Sequence, residues 1–129
     1  MEAAQKPGHG ERILYLDDEA PLVFLVTRTL TQLGYQPAAF TSADEALAAF
    51  RESPRSFSLV LTDLSMPGTS GLEFAEQVLT IDPTASVVIV SGCIDPADAT
   101  RALASGVRRV EQKPSTLDAF GGLVRRLLP

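Results

Sequence analysis

The sequence predicts an α/β protein in which an open parallel sheet is covered by helices on both faces. Short apolar runs of strand length alternate with longer stretches whose apolar residues recur at helical spacing, and this happens five times from Arg12 onward. The intervening stretches are long enough for the crossovers that parallel neighbours need, which implies right-handed βα units. With 129 residues, 45% of them hydrophobic and 21% charged, the chain has the apolar surface for one core and no room for a second.

The elements can be justified in order. Residues 1–11, MEAAQKPGHGE, hold Pro7, Gly8, Gly10 and the single histidine without apolar periodicity, so a flexible tail or linker is expected there, with the domain spanning 12–129. The strand candidates are Arg12–Leu16 (RILYL), Gln36–Phe40 (QPAAF), 59–62 (LVLT), 86–90 (SVVIV) and 107–112 (VRRVEQ). The first, third and fourth are almost wholly apolar, as strands covered on both faces should be. The second and fifth are more polar and suit the edges, and Pro37 cannot donate to an interior ladder.

Helix boundaries are marked by capping chemistry. Ser42 with Glu45 and Ser70 with Glu73 have the capping-box spacing, Ser115 with Asp118 is a weaker version, and Asp95 precedes a proline suited to a first turn. Gly34 and Gly106 stand where the first and fourth helices should close in a left-handed residue. Apolar faces follow at Leu22, Val26, Leu30 and Leu33, at Leu72, Ala75, Val78 and Leu79, and at Leu117, Phe120, Val124 and Leu127. Gly121 and Gly122 fall inside the last helix, each costing about 1 kcal/mol relative to alanine, so that helix is expected to be the least stable element.

Charge and composition exclude several functions. Eleven basic against sixteen acidic residues give a net charge of −5, which lacks the electrostatic footprint of a nucleic-acid binder. Cys93, the single cysteine, cannot form an internal disulfide; no secretory signal pattern and no apolar run of membrane-spanning length is present, so a cytoplasmic location is expected. Neither a G-x-G-x-x-G nor a G-x-x-x-x-G-K loop follows a strand, which disfavours nucleotide or flavin binding.

In such sheets ligands bind beyond the carboxyl ends of the strands. The residues there are Asp17 and Asp18 after the first strand, Asp63 after the third, Ser91 after the fourth and Lys113 after the fifth. A lone carboxylate at a strand end is usually a turn or cap residue, and Asp18 is placed to cap the following helix. Three together repel one another and raise one another's pKa unless a cation compensates. Lys113 is one such cation, in a chain whose only other lysine is Lys6. An all-oxygen ligand set open to water suits Mg²⁺, whereas zinc lacks ligands. Mg²⁺ beside a carboxylate and a lysine is equipment for phosphoryl transfer, and an aspartate can itself be the nucleophile. Asp63 is the best candidate, ending the central strand before Ser65, Met66, Pro67 and Gly68, a turn able to wrap backbone around a metal.

The runs ILYLDDE and LVLTDLSMPGTSGLE, the VSG after the fourth strand and the QKP after the fifth resemble, in order and spacing, the receiver domain of two-component response regulators. The resemblance covers about residues 12–128. GERILYLDDE after a Pro-Gly-rich segment also resembles the receiver at the C-terminal end of hybrid histidine kinases. It implies a doubly wound, flavodoxin-like (βα)5 sandwich of three layers with strand order 2-1-3-4-5. It further implies that Asp63 is the phosphoacceptor, taking its phosphoryl group from a phosphohistidine on a histidine kinase or phosphotransfer protein. Asp18, Asp63 and the backbone carbonyl of Ser65 would bind Mg²⁺, with Asp17 holding metal-bound water. Lys113 would pair with the carboxylate and then the phosphoryl oxygens, Ser91 would bond the phosphoryl group, and the bond before Pro114 would be cis. Such a protein is a signalling phosphoacceptor that catalyses its own transfer and dephosphorylation, not a metabolic enzyme.

The pattern departs from the resemblance at one position. The aromatic residue expected three before the lysine is Val110, so a hydroxyl-to-aromatic relay cannot run in its usual form. Output would then use another surface or a homodimer through the fourth helix, fifth strand and fifth helix. Ser65 and Cys93, each two past a site residue, flank the phosphoryl position; Cys93 has no histidine in the domain to activate it. The alternative reading is a receiver-shaped interaction module with lost or non-standard switching. A Mg²⁺-dependent small-molecule phosphatase ranks lower, since no lid segment and no D-x-D pair surround Asp63.

Overall fold

The computed structural model describes residues 8–66 and 70–128. Five strands, β1 (Arg12–Leu16), β2 (Gln36–Phe40), β3 (Phe57–Asp63), β4 (Val87–Ser91) and β5 (Arg109–Gln112), alternate with five helices. The helices are α1 (Ala20–Gln32), α2 (Ala43–Glu52), α3 (Gly71–Ile81), α4 (Pro96–Ala104) and α5 (Leu117–Leu127), and a short 3₁₀ turn at Pro54–Ser56 precedes β3. All four strand pairings are parallel, in the order β2-β1-β3-β4-β5, as expected.

The two faces of the sheet bury separate sets of side chains. Leu14, Leu16, Val60 and Ile89 pack with Phe50 of α2, Phe74 and Val78 of α3, and Ala102 of α4. Ile13, Tyr15, Leu59, Leu61, Val88 and Val90 pack on the other side with Val26 and Leu30 of α1 and with Phe120, Leu123 and Val124 of α5. Alternation along each strand assigns neighbours to opposite layers, and each buried Leu, Val, Ile or Phe contributes about 1.5–3 kcal/mol.

Most boundary signals are realised. Ser70 and Glu73 form a reciprocal capping box, Ser42 accepts the Glu45 N–H, and Asp95 accepts the Ala97 N–H ahead of α4. Gly34 and Gly106 close α1 and α4 with φ of 95° and 105°. Several boundaries differ from expectation, β3 already beginning at Phe57 and β4 only at Val87. Asp63 and Ser91 are the last residues of their strands and not the first beyond them, because Asp63 pairs with Val90 and Ser91 with Gln112. β5 starts at Arg109, since the Val107 N–H is spent on the Ala102 carbonyl that ends α4. The cap of α5 is Thr116, accepting the Ala119 N–H, and not Ser115, because the helix begins one residue later.

Other expectations resolve differently. Asp18 does not cap α1: the cap residue is Glu19, no side chain caps the helix, and Pro21 removes one of the N–H groups a cap would bind. The Lys113–Pro114 bond is trans, since no peptide bond among the described residues is cis. Trans is the favoured state of an X-Pro bond by about 0.5–1 kcal/mol, and nothing in the dipeptide opposes it. Gly121 has a packing reason, because a Cβ there would stand 2.6 Å from Leu33 Cδ1, whereas one at Gly122 would meet nothing within 4 Å.

Residues 1–7 of the expected tail, Pro67 and Gly68 of the expected metal-wrapping turn, and Lys6 lie outside the described residues. Residues 8–11 run against the α1–β2 turn. Gly8 N–H donates to the Leu33 carbonyl, Gly10 N–H to the Gly34 carbonyl at 2.8 Å, and Gln36 N–H to the Glu11 carbonyl at 2.9 Å.

Candidate functional site

The parallel register carries the strand ends to one place. Leu16 lies opposite Thr62, so Asp17 and Asp63 emerge side by side from β1 and β3. The Leu64 N–H donates to the Val90 carbonyl at 3.0 Å and the Lys113 N–H to the Ser91 carbonyl at 2.8 Å, which ties all four strand ends together. Gly71 seats α3 beneath them: a Cβ at that position would stand 1.8 Å from the Asp63 carbonyl oxygen, so only glycine lets the helix start so close to the strand.

Asp17, Asp18 and Asp63 each present one carboxylate oxygen within 4.8 Å of the others. Asp17 and Asp63 are buried and Asp18 is exposed. Lys113 reaches into this group, its Nζ 2.7 Å from Asp17 Oδ2, 3.5 Å from Glu19 Oε1 and 3.7 Å from Asp63 Oδ1. One ammonium therefore meets three carboxylates, with that of Asp18 close to two of them, and negative charge remains in excess.

The titration behaviour follows from that arrangement. Burial pushes the Asp63 carboxyl above the usual carboxylate range, Lys113 opposes the shift, and Asp17 and Asp18 reinforce it. Burial alone would lower the Lys113 ammonium, but the hydrogen bond and charge of Asp17, with Asp63 and Glu19 behind it, bring it to a net rise.

The remaining sequence-predicted residues lie around this cluster. Ser91 is buried, its hydroxyl donating to the Cys93 carbonyl at 2.8 Å and accepting the Cys93 N–H at 3.2 Å, so it is turned onto its own loop. Cys93 is exposed with a free thiol. Ser65 is exposed two residues past Asp63. Val110 is half-buried and lines an apolar hollow with Leu64, Ile89, Ile94, Ala99 and Ala102 beneath α4.

Two residues of the site escaped the sequence reading. Glu19 is a further carboxylate on Lys113. Tyr15 is wholly buried and donates its hydroxyl to Asp17 Oδ2 at 2.8 Å. The available signal for Tyr15 was strand alternation: residues 15 and 17 share a face, and a buried phenol in an aliphatic strand needs a partner.

What the residues can hold follows from their chemistry. Three carboxylates with no thiolate or imidazole among them form a hard, all-oxygen donor set, which fits Mg²⁺ and not a soft metal. Among the described residues no helix is long and apolar enough to cross a membrane.

Comparison with known proteins agrees with this geometry. Residues 13–125 match the response regulator receiver domain family. The two-component response regulator ARR14 of Arabidopsis thaliana is 38% identical over 82 residues, covering 64% of this chain and 22% of that protein. The chemotaxis protein CheY of Thermotoga maritima is 27% identical over 106 residues, 81% of this chain and 87% of that protein. A receiver domain protein of Clostridium thermocellum superposes with a TM-score of 0.77 at 28% identity, covering 90% of this chain and 95% of that one. Several of the relatives are much longer: the chain spans 22% of the Arabidopsis response regulator and 24% of the C4-dicarboxylate transport transcriptional regulatory protein DctD of Rhizobium meliloti. With a sheet of order 2-1-3-4-5 and its acids and lysine gathered at the strand ends, the chain belongs to the response regulator receiver domain family.

Proposed function

We propose that Asp63 accepts a phosphoryl group from a phosphohistidine of a histidine kinase or phosphotransfer protein, and that this switches the contacts the domain, residues 12–129, makes with other proteins. The observation that carries the reading is the convergence of three carboxylates within 4.8 Å, with Lys113 3.7 Å from Asp63. A carboxylate oxygen of Asp63 forms the new O–P bond as the P–N bond of the donor breaks, and the electron pair returns to the imidazole nitrogen.

Asp18, Asp63 and the Ser65 carbonyl would hold Mg²⁺ directly, with Asp17 on its bound water. The metal would neutralise charge on the transferring phosphoryl oxygens. Lys113, 3.7 Å from Asp63 Oδ1, would turn from the carboxylates to the phosphoryl group as charge moves outward. Ser91 exchanges its bond to Cys93 for one to a phosphoryl oxygen, and Ser65 and Cys93 flank the route by which water reaches the acyl phosphate. Val110 leaves no aromatic group to follow Ser91 inward, so output runs through displacement of α4 or through a homodimer on the α4, β5 and α5 face. A cytoplasmic setting suits a module that reads a kinase.

Intact-mass measurement after incubation with a small phosphoryl donor tests this. One phosphoryl group should add to the wild type with Mg²⁺, and none should add to Asp63→Asn or in chelator. If the small donor is silent, a phosphohistidine donor is tried next; no labelling by either overturns the reading.

A further inference from the structure

The chemistry above leaves the buried hydroxyl of Tyr15 without a task. Its ring is held edge-on to Phe120 of α5, with centroids 5.8 Å apart and planes at 77°. Its hydroxyl donates to Asp17 Oδ2 at 2.8 Å, the same oxygen that Lys113 Nζ approaches at 2.7 Å, while Oδ1 takes the Glu19 N–H at 3.0 Å. Phenylalanine would fill the same space in this apolar layer, so the phenol is explained by its donor and not by its volume.

We propose that Tyr15 is a positioning residue that lets Lys113 leave Asp17 for the phosphoryl oxygens on Asp63. This rests on Asp63 being the phosphoacceptor. Asp17 is wholly buried, so an oxygen of its carboxylate stripped of every donor would carry the full desolvation penalty of a charged group. With Tyr15 present, Oδ2 keeps one donor when the lysine departs. Without it Lys113 is the last donor on that oxygen, and Asp17 retains the lysine in the resting position. The edge contact with Phe120 fixes the phenol, so the donor stays in place while the lysine moves.

The test compares wild type with Tyr15→Phe in two calorimetric titrations, Mg²⁺ alone and then beryllofluoride, a phosphoryl mimic, in saturating Mg²⁺. Loss of one hydrogen bond to a charged group should weaken beryllofluoride binding about tenfold while Mg²⁺ affinity stays within about twofold or tightens. A merely structural role would move both affinities together. In an Asp17→Asn background Tyr15→Phe should cause no further loss. Equal weakening in both titrations, undiminished beryllofluoride binding, or the same tenfold loss in the Asp17→Asn background overturns the proposal. So does a Tyr15→Phe protein without a cooperative thermal transition, which would make the hydroxyl a folding determinant. Wild type that binds no beryllofluoride with Mg²⁺ instead overturns the phosphoacceptor reading itself.

Discussion

The centre of the sheet and its α4–β5 edge are built by different means. β3 and β4 are buried along nearly their whole length, and α3 buries six residues against them. At the edge α4 buries Ala102 alone, β5 has no fully buried residue, and Ile94 and Leu103 stand exposed. Part of what holds α4 is polar: Arg101 donates to both carboxylate oxygens of Glu76 on α3, at 3.0 and 2.8 Å, and the Ser105 hydroxyl joins at 2.8 Å. The acids are therefore mounted at the ends of β1 and β3, in the rigidly packed middle of the sheet, while Lys113 follows the edge strand β5 and the helix beside Ser91 rests on contacts that can be exchanged cheaply. A device that must keep its chemistry fixed and still change shape is served by that division.

The largest effect expected from the comparison is a contrast in packing. Leu61→Ala at the centre should cost about 2–5 kcal/mol by chemical denaturation, whereas Leu103→Ala on α4 should stay within about 0.5 kcal/mol. Similar losses at both positions would mean that the edge is as tightly held as the centre.

The second concerns charge at the centre. Asp63 has its folded-state carboxyl raised above 3.8 by burial and by Asp17 and Asp18, so its ionised form is penalised in the folded protein. That penalty is complete above the folded pKa and disappears as pH falls through it toward 3.8. Asp63→Asn should consequently melt higher than wild type at neutral pH in chelator, and the gain should fade in acid. Added Mg²⁺ should narrow the gap by stabilising the wild type more; a destabilised Asp63→Asn protein would contradict the burial and repulsion argument.

Smaller effects sharpen the picture along the helices. Gly122→Ala should stabilise by about 0.5–1 kcal/mol, because its Cβ enters open space and the helix gains propensity. Gly121→Ala should gain less, since Leu33 must move to admit the methyl group. Arg101→Ala, removing an ion pair whose arginine is 58% exposed, should cost at most about 1 kcal/mol, and the loss should shrink with added salt. Thermal melts at two ionic strengths check that; an undiminished loss in high salt would assign the tie to packing of the arginine stem.

The fold was legible where local rules coincide. Leu59 to Leu61 and Val87 to Val90 could hardly be anything but covered strands, and Ser70 with Glu73 announces the start of α3. The five polar positions at the strand ends were legible for the same reason, since an apolar run that stops at an acid, a hydroxyl or a lysine marks its own end. What remained hidden depends on partners distant in sequence. Whether Asp63 stands inside or beyond its strand is decided by its pairing with Val90, and β5 is shortened by the needs of α4. Gly121 became intelligible only beside Leu33, and Tyr15 only beside both Asp17 and Phe120. The isomer of the Lys113–Pro114 bond cannot be read from a dipeptide.

Lys113 carries the one primary amine among the described side chains, because the basic residues of the domain are otherwise arginines. An acylating reagent applied under native conditions thus has a single side-chain amine to form a stable amide with there, one that sits 2.7 Å from a buried carboxylate. The domain comes with its own reporter: the rate at which that amine is modified, read by peptide mapping, follows how firmly the acids grip it, with no label introduced and no residue changed.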